Sequence, residues 1–132
     1  MEPLQHKPSV TVERMVEWPD TDAAGHYHHS SVIRWVEAAE AALHSQLDLD
    51  ELFGSVPRVR YEVDYLARLW FRDVVQITLE VAEVGRTSLT YAFTVRRDGE
   101  LAARGRMVCV NSDPKGTGST PWPDHVRARL VG

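Results

Sequence analysis

Trp18-Pro19-Asp20-Thr21-Asp22-Ala23-Ala24-Gly25-His26-Tyr27-His28-His29-Ser30-Ser31 joins two stretches of different period, and its position between them decides the fold. Before it, Val10, Val12 and Val16 mark a strand running up to Trp18. Pro19 ends that ladder because it has no N–H to donate. After it, Val32, Ile33, Val36, Ala39, Leu43 and Leu47 recur at spacings of three and four, which predicts one long amphipathic helix from about Ser30 to Leu47. Ser30 or Ser31 is a suitable N-cap. The joining stretch itself holds two carboxylates and three imidazoles. Acidic side chains, a glycine and a helix N-terminus in succession can set a base or nucleophile beside backbone donors. That combination suits attack on a carbonyl, because the donors stabilise the oxyanion that develops.

Beyond the helix the period changes to two. Val59, Tyr61, Val63 and Tyr65 alternate with Arg58, Arg60, Glu62 and Asp64. The pattern repeats at Val75, Ile77, Leu79 and Val81, and again at Leu89, Tyr91, Phe93 and Val95. A last strand spans about Glu100 to Asn111. Val84-Gly85-Arg86 and Asp98-Gly99 read as turns, the second a strong hairpin signal. A strand, a helix and a four-strand antiparallel meander make an α+β domain in which the helix covers one sheet face. Residues 1–8 read as a loose lead-in, and 113–132 as a Pro/Gly/Ser/Thr-rich loop with a short terminal helix.

The 132 residues amount to a single domain, 1–132, with ordinary apolar and charged content. A net charge of −4 argues against a nucleic-acid partner, which would require excess cations. All cations but Lys7 and Lys115 are arginine, a side chain suited to phosphate or carboxylate. The lone Cys109 lies in an apolar run and is expected to pack as a small buried hydrophobe. No stretch has the length of a membrane span or the apolar core of a signal peptide, so a cytoplasmic location is the default expectation.

With Asp20-Thr21-Asp22-Ala23-Ala24-Gly25 set between a first strand and a lone long helix, the chain resembles the hotdog-fold thioesterases, and most of all the 4-hydroxybenzoyl-CoA thioesterase family. Val63-Asp64-Tyr65-Leu66, Phe71-Arg72-Asp73 and Gly85-Arg86-Thr87-Ser88-Leu89 share the likeness, which runs from about Val10 to Asn111. The resemblance implies a five- or six-stranded antiparallel sheet wrapped around the helix and an acyl-CoA thioesterase. It implies Asp22 as nucleophile or general base, an amide near His29 polarising the thioester carbonyl, and His29 as a second catalytic group. It implies Glu37 facing the acyl group, Thr87 or Ser88 arranging the site from a partner subunit, and assembly as dimers or tetramers. Where many relatives have Asn-Tyr, this chain has Ser31-Val32.

Each of these residues also has a plainer reading. Asp20 or Asp22 can make an Asx-turn; Asp20 is expected to be structural and Asp22 catalytic. Gly25, His28 and Ser31 would line the substrate pocket. Three clustered histidines invite a metal, but adjacent imidazoles rarely converge on one ion, so neither metal nor cofactor is expected, coenzyme A entering only as part of the substrate. Glu37, Glu40 and His44 share a helix face that is ordinarily solvated. Arg58 and Arg60 can meet the nucleotide phosphates of coenzyme A or simply face solvent. Two rivals remain open: a hotdog hydratase or dehydratase of acyl thioesters, and a non-catalytic binder of an acyl thioester or aromatic ligand. The acyl carrier can be coenzyme A or a carrier protein.

Overall fold

The computed structural model describes residues 7–22, 29–116 and 118–132. In chain order these form β1 (Ser9–Met15), a 3-10 turn (Trp18–Asp20), α1 (Ser31–Gln46), a second 3-10 turn (Asp50–Leu52), β2 (Arg58–Tyr65), β3 (Val74–Val84), β4 (Ser88–Arg97), β5 (Glu100–Val110) and α2 (Asp124–Val131). The expected α+β hotdog architecture is present, with five antiparallel strands and one long helix. Val75, Ile77, Leu79 and Val81 on β3 and Leu89, Tyr91, Phe93 and Val95 on β4 are all buried, as the alternation predicts. Val32, Val36, Ala39 and Leu43 of α1 pack with that row into one core.

Two expectations need correction. The strands are ordered β1-β3-β4-β5-β2, so β2 does not open a meander. Leu66 and Ala67 both donate their N–H to the Ala102 carbonyl, which keeps the end of β2 on the β5 side. The chain then crosses one end of the sheet, where Arg72 N–H bonds to Val16 O and Val16 N–H to Asp73 O. Only the tight connections give neighbours in sequence order: Gly85 N–H to Ser88 O between β3 and β4, and Asp98-Gly99, both at positive φ (50° and 79°), between β4 and β5. Second, the first strand stops at Met15 rather than Trp18. Pro19 presets a 3-10 turn that the Asp20 carboxylate caps by accepting from Glu17 N–H at 2.8 Å.

Gly105 sits where β5 passes closest to its neighbours. It pairs with Val63 on one side and Phe93 on the other. A Cβ there would fall on the Glu62 carbonyl and within 2.6 Å of Phe93 Cζ. No side chain fits between strands so placed.

Candidate active site

The start of α1 is built around Asp20. Its side chain is buried, and Arg34 donates to Oδ1 at 2.6 Å while Glu17 N–H donates to Oδ2. Ser31 is fully buried and sends its hydroxyl to the Asp20 carbonyl oxygen at 2.9 Å. Arg34 also reaches Ser31 Oγ at 3.2 Å. Ser31 therefore acts in this clasp and is not the N-cap. The N-cap is Ser30, which makes no side-chain capping bond. Asp20 is structural, as expected. Asp22 and His29 are both exposed and lie between the two clasped points, each two residues from one of them. Tyr65, at the end of β2, donates its hydroxyl to the His29 carbonyl at 2.5 Å, and burial raises its pKa. Gly25, His26 and His28 lie outside the described residues.

Further along α1, Glu40 and His44 depart from the solvated face expected of them: they are 5% and 1% exposed. The row Val32, Val36, Glu40, His44 steps by four, so both follow the apolar stripe into the interior. What makes this tolerable is a chain of partners. Arg58 pairs with the Glu40 carboxylate, and His44 Nε2 meets the Tyr91 hydroxyl at 2.7 Å. In this pair either partner can donate, the neutral imidazole having one donor and one acceptor nitrogen. His44 Nδ1 is buried with no hydrogen-bond partner among the described residues. Arg58, which the sequence left between coenzyme A phosphate and solvent, is paired with Glu40. Glu37 is exposed at the rim of the same region, a cavity of about 230 Å³ that Glu40, His44, Phe53 and Arg58 also line. Burial also pushes the Cys109 thiol up to about 12, so this cysteine is the inert packing residue expected.

Burial, with Arg58 adding to it, lowers the His44 pKa to about 4. The imidazole is neutral in both states above the unfolded value of 6.5, and only the unfolded chain binds the proton as pH falls toward 4. Stability is therefore lost across that window, by up to about 3 kcal/mol. Glu40, its pKa raised mainly by burial, opposes this, because its contribution is present at low pH and lost as pH rises. Denaturant melts at pH 7 and pH 4.5 should show the wild type losing stability and His44→Gln losing distinctly less. Equal losses would mean that His44 is not the titrating group.

Thr87 and Ser88 lie just beyond β3, at the end away from Asp73 and Val16. Eleven strand residues at ~3.3 Å each put roughly 33 Å between those ends. One chain therefore does not bring Thr87 or Ser88 to Asp22. Beside them sequence reading missed a second feature, a cavity of about 360 Å³ lined by Arg86, Pro121, Trp122 and Arg127. Trp122 Nε1 donates to Ser88 O at 2.9 Å and Arg127 to Gly85 O at 2.8 Å. A tryptophan in a proline-rich tail before an arginine-rich helix was the available signal. Arg60 projects from the outer sheet face and pairs with Glu62.

Residues 16–130 match the model of the thioesterase-like superfamily. The 1,4-dihydroxy-2-naphthoyl-CoA hydrolase of Nostoc punctiforme is 30% identical over 121 residues, 86% of this chain and 82% of the relative. That of Prochlorococcus marinus strain NATL2A is 25% identical over 118 residues, covering 80% and 76%. Among solved structures, a thioesterase of Thermus thermophilus complexed with coenzyme A and Zn superposes with a TM-score of 0.84 at 28% identity, covering 96% of this chain and 94% of the other. A buried sheet row closed over one helix, an acidic segment at that helix's start, and a family match across nearly the whole chain agree: the chain belongs to the thioesterase-like superfamily and is a hotdog-fold thioester hydrolase.

Proposed function

We propose that the chain hydrolyses an acyl-CoA thioester, with an aromatic acyl group the first choice because the curated relatives are 1,4-dihydroxy-2-naphthoyl-CoA hydrolases. The observation that carries the residue assignment is the exposure of Asp22 and His29, each two residues inside one clasp, at the positive end of a 16-residue helix. Asp22 draws the proton from water, or attacks directly, as a C–O bond forms at the thioester carbon. The amide at His29 and the helix dipole take up the charge on the carbonyl oxygen. The C–S bond then breaks and the thiolate leaves, collecting a proton. With water as nucleophile this gives the acid at once; after direct attack a water cleaves the resulting acyl–Asp22 anhydride to release acid and regenerate Asp22. The His29 imidazole, with one donor and one acceptor nitrogen, can hold the water. Glu37 faces the acyl group.

The active species is a homo-oligomer. Thr87 and Ser88 can serve a site at Asp22 only from a second copy, given their separation along β3. The edge strand β2 leaves Val59 and Tyr65 exposed, and Leu66 follows, an apolar border ready to pair. The nucleotide end of coenzyme A is assigned to the Arg86–Arg127 cavity beside Thr87, where Arg86 can fork onto phosphate and Arg127, held on the Gly85 and Val84 carbonyls, adds positive charge. The test is thiol release from a panel of aromatic, short and long acyl-CoAs, with sizing of the active species. Aromatic substrates are expected to turn over fastest. A folded protein that releases no thiol from any of them would overturn the reading.

A further inference from the structure

We propose that Arg34 is a positioning residue of the reaction, acting through Asp20 and Ser31; this rests on the thioesterase reading above. One Arg34 guanidinium nitrogen serves both the Asp20 carboxylate, at 2.6 Å, and Ser31 Oγ, at 3.2 Å. Ser31 Oγ in turn donates to the Asp20 main-chain carbonyl at 2.9 Å. The ring of contacts is closed, and it ties two points that are eleven residues apart in sequence. Asp22 is two residues from one point and His29 two residues from the other. A shift of the clasp therefore moves the proposed base and the proposed carbonyl-polarising amide relative to each other.

The burial pattern separates this role from a structural one. Asp20 is 12% exposed at its side chain, whereas Arg34 is 56% exposed. A guanidinium half in water contributes little to global stability. Its partner carboxylate has no second cation within ion-pair reach among the described residues, so loss of Arg34 leaves a largely buried anion held by Glu17 N–H alone. The local response is for Asp20 to turn outward or draw in water, with Ser31 and the segment ends following. A misplacement of about 1 Å is enough to cost on the order of 100-fold in rate.

The experiment measures kcat, KM and melting temperature for Arg34→Ala, Arg34→Lys, Asp20→Asn and the double variant, alongside wild type and Asp22→Asn. Arg34→Ala should lower kcat at least ~30-fold, within the scale expected for such a misplacement, with KM changed far less and the fold retained. Arg34→Lys, which keeps a donor to Asp20 but loses the planar fork, should recover part of kcat. Arg34→Ala and Asp20→Asn should be non-additive, because each breaks the same clasp. If Arg34→Ala does not fold, a stable Arg34→Lys with wild-type kcat overturns the proposal. Wild-type kcat in a folded Arg34→Ala, or fully additive losses, overturns it while leaving thioester hydrolysis intact. If Asp22→Asn is as active as wild type, the catalytic assignment fails first and the positioning role falls with it.

Discussion

Asp22→Asn is expected to lower kcat for the best acyl-CoA by at least ~100-fold, the scale of losing a catalytic acid or base. That corresponds to about 3 kcal/mol of transition-state stabilisation. Asparagine keeps the size and the hydrogen-bonding outline of aspartate but can neither take a proton from water nor attack as an anion. Asp22 is exposed and lies outside the buried core, so the variant should fold and melt like wild type. KM should change little, since the acyl and nucleotide contacts assigned above involve other residues. The readout is thiol release together with a thermal melt. A folded Asp22→Asn enzyme within about threefold of wild type, far from the loss expected of a catalytic group, would remove Asp22 from the mechanism and move attention to His29.

The largest effect on stability is expected at a residue with no side chain. In Gly105→Ala the new methyl group would collide with the Glu62 carbonyl of β2 and the ring of Phe93 on β4. Neither can give way easily. The carbonyl is backbone in a paired strand, and Phe93 is 2% exposed and stacked on Tyr61 at 5.8 Å. Overpacking a core typically costs about 1–3 kcal/mol when side chains can adjust. Here the obstruction is main chain, so a loss of ~3 kcal/mol or more is expected, lowering the melting temperature by roughly 10 °C. β2 should separate from β5 first, so protection of its amides from hydrogen exchange should fall before that of β3 and β4. A melting temperature within about 2 °C of wild type, less than ~1 kcal/mol would produce, would show that the strands can part without cost.

Much of this was legible in the chain. The period-two rows on β3 and β4 and the three–four stripe of α1 depend only on which face is buried, and they match the observed burial. The order of strands was not legible, because alternation says that β2 is a strand and nothing about its partner. That depended on the crossing at Leu66–Asp73 and on Ala102 accepting two amides. At the site, Asp22 and His29 were reached through likeness to a family. Nothing in the sequence marks Arg34, because its carboxylate partner lies fourteen residues earlier and only the fold brings the two together. Glu40 and His44 were read as solvated because charge usually wins. In the fold Arg58, paired with Glu40, and Tyr91, bonded to His44, keep them inside. A single strip of sequence cannot display such long-range compensation.

The clasp of Asp20, Ser31 and Arg34 grips the chain at two fixed posts, one on each side of the interval from Thr21 to Ser30. The described residues of that interval, Thr21, Asp22, His29 and Ser30, all stand outside the core that holds the posts. Between two fixed posts, doubling the number of intervening residues adds only about 0.6 kcal/mol of closure entropy. A change at Asp20, Ser31 or Arg34 instead moves both posts' neighbours, Asp22 and His29, at once. The posts are thus where a single substitution reaches furthest.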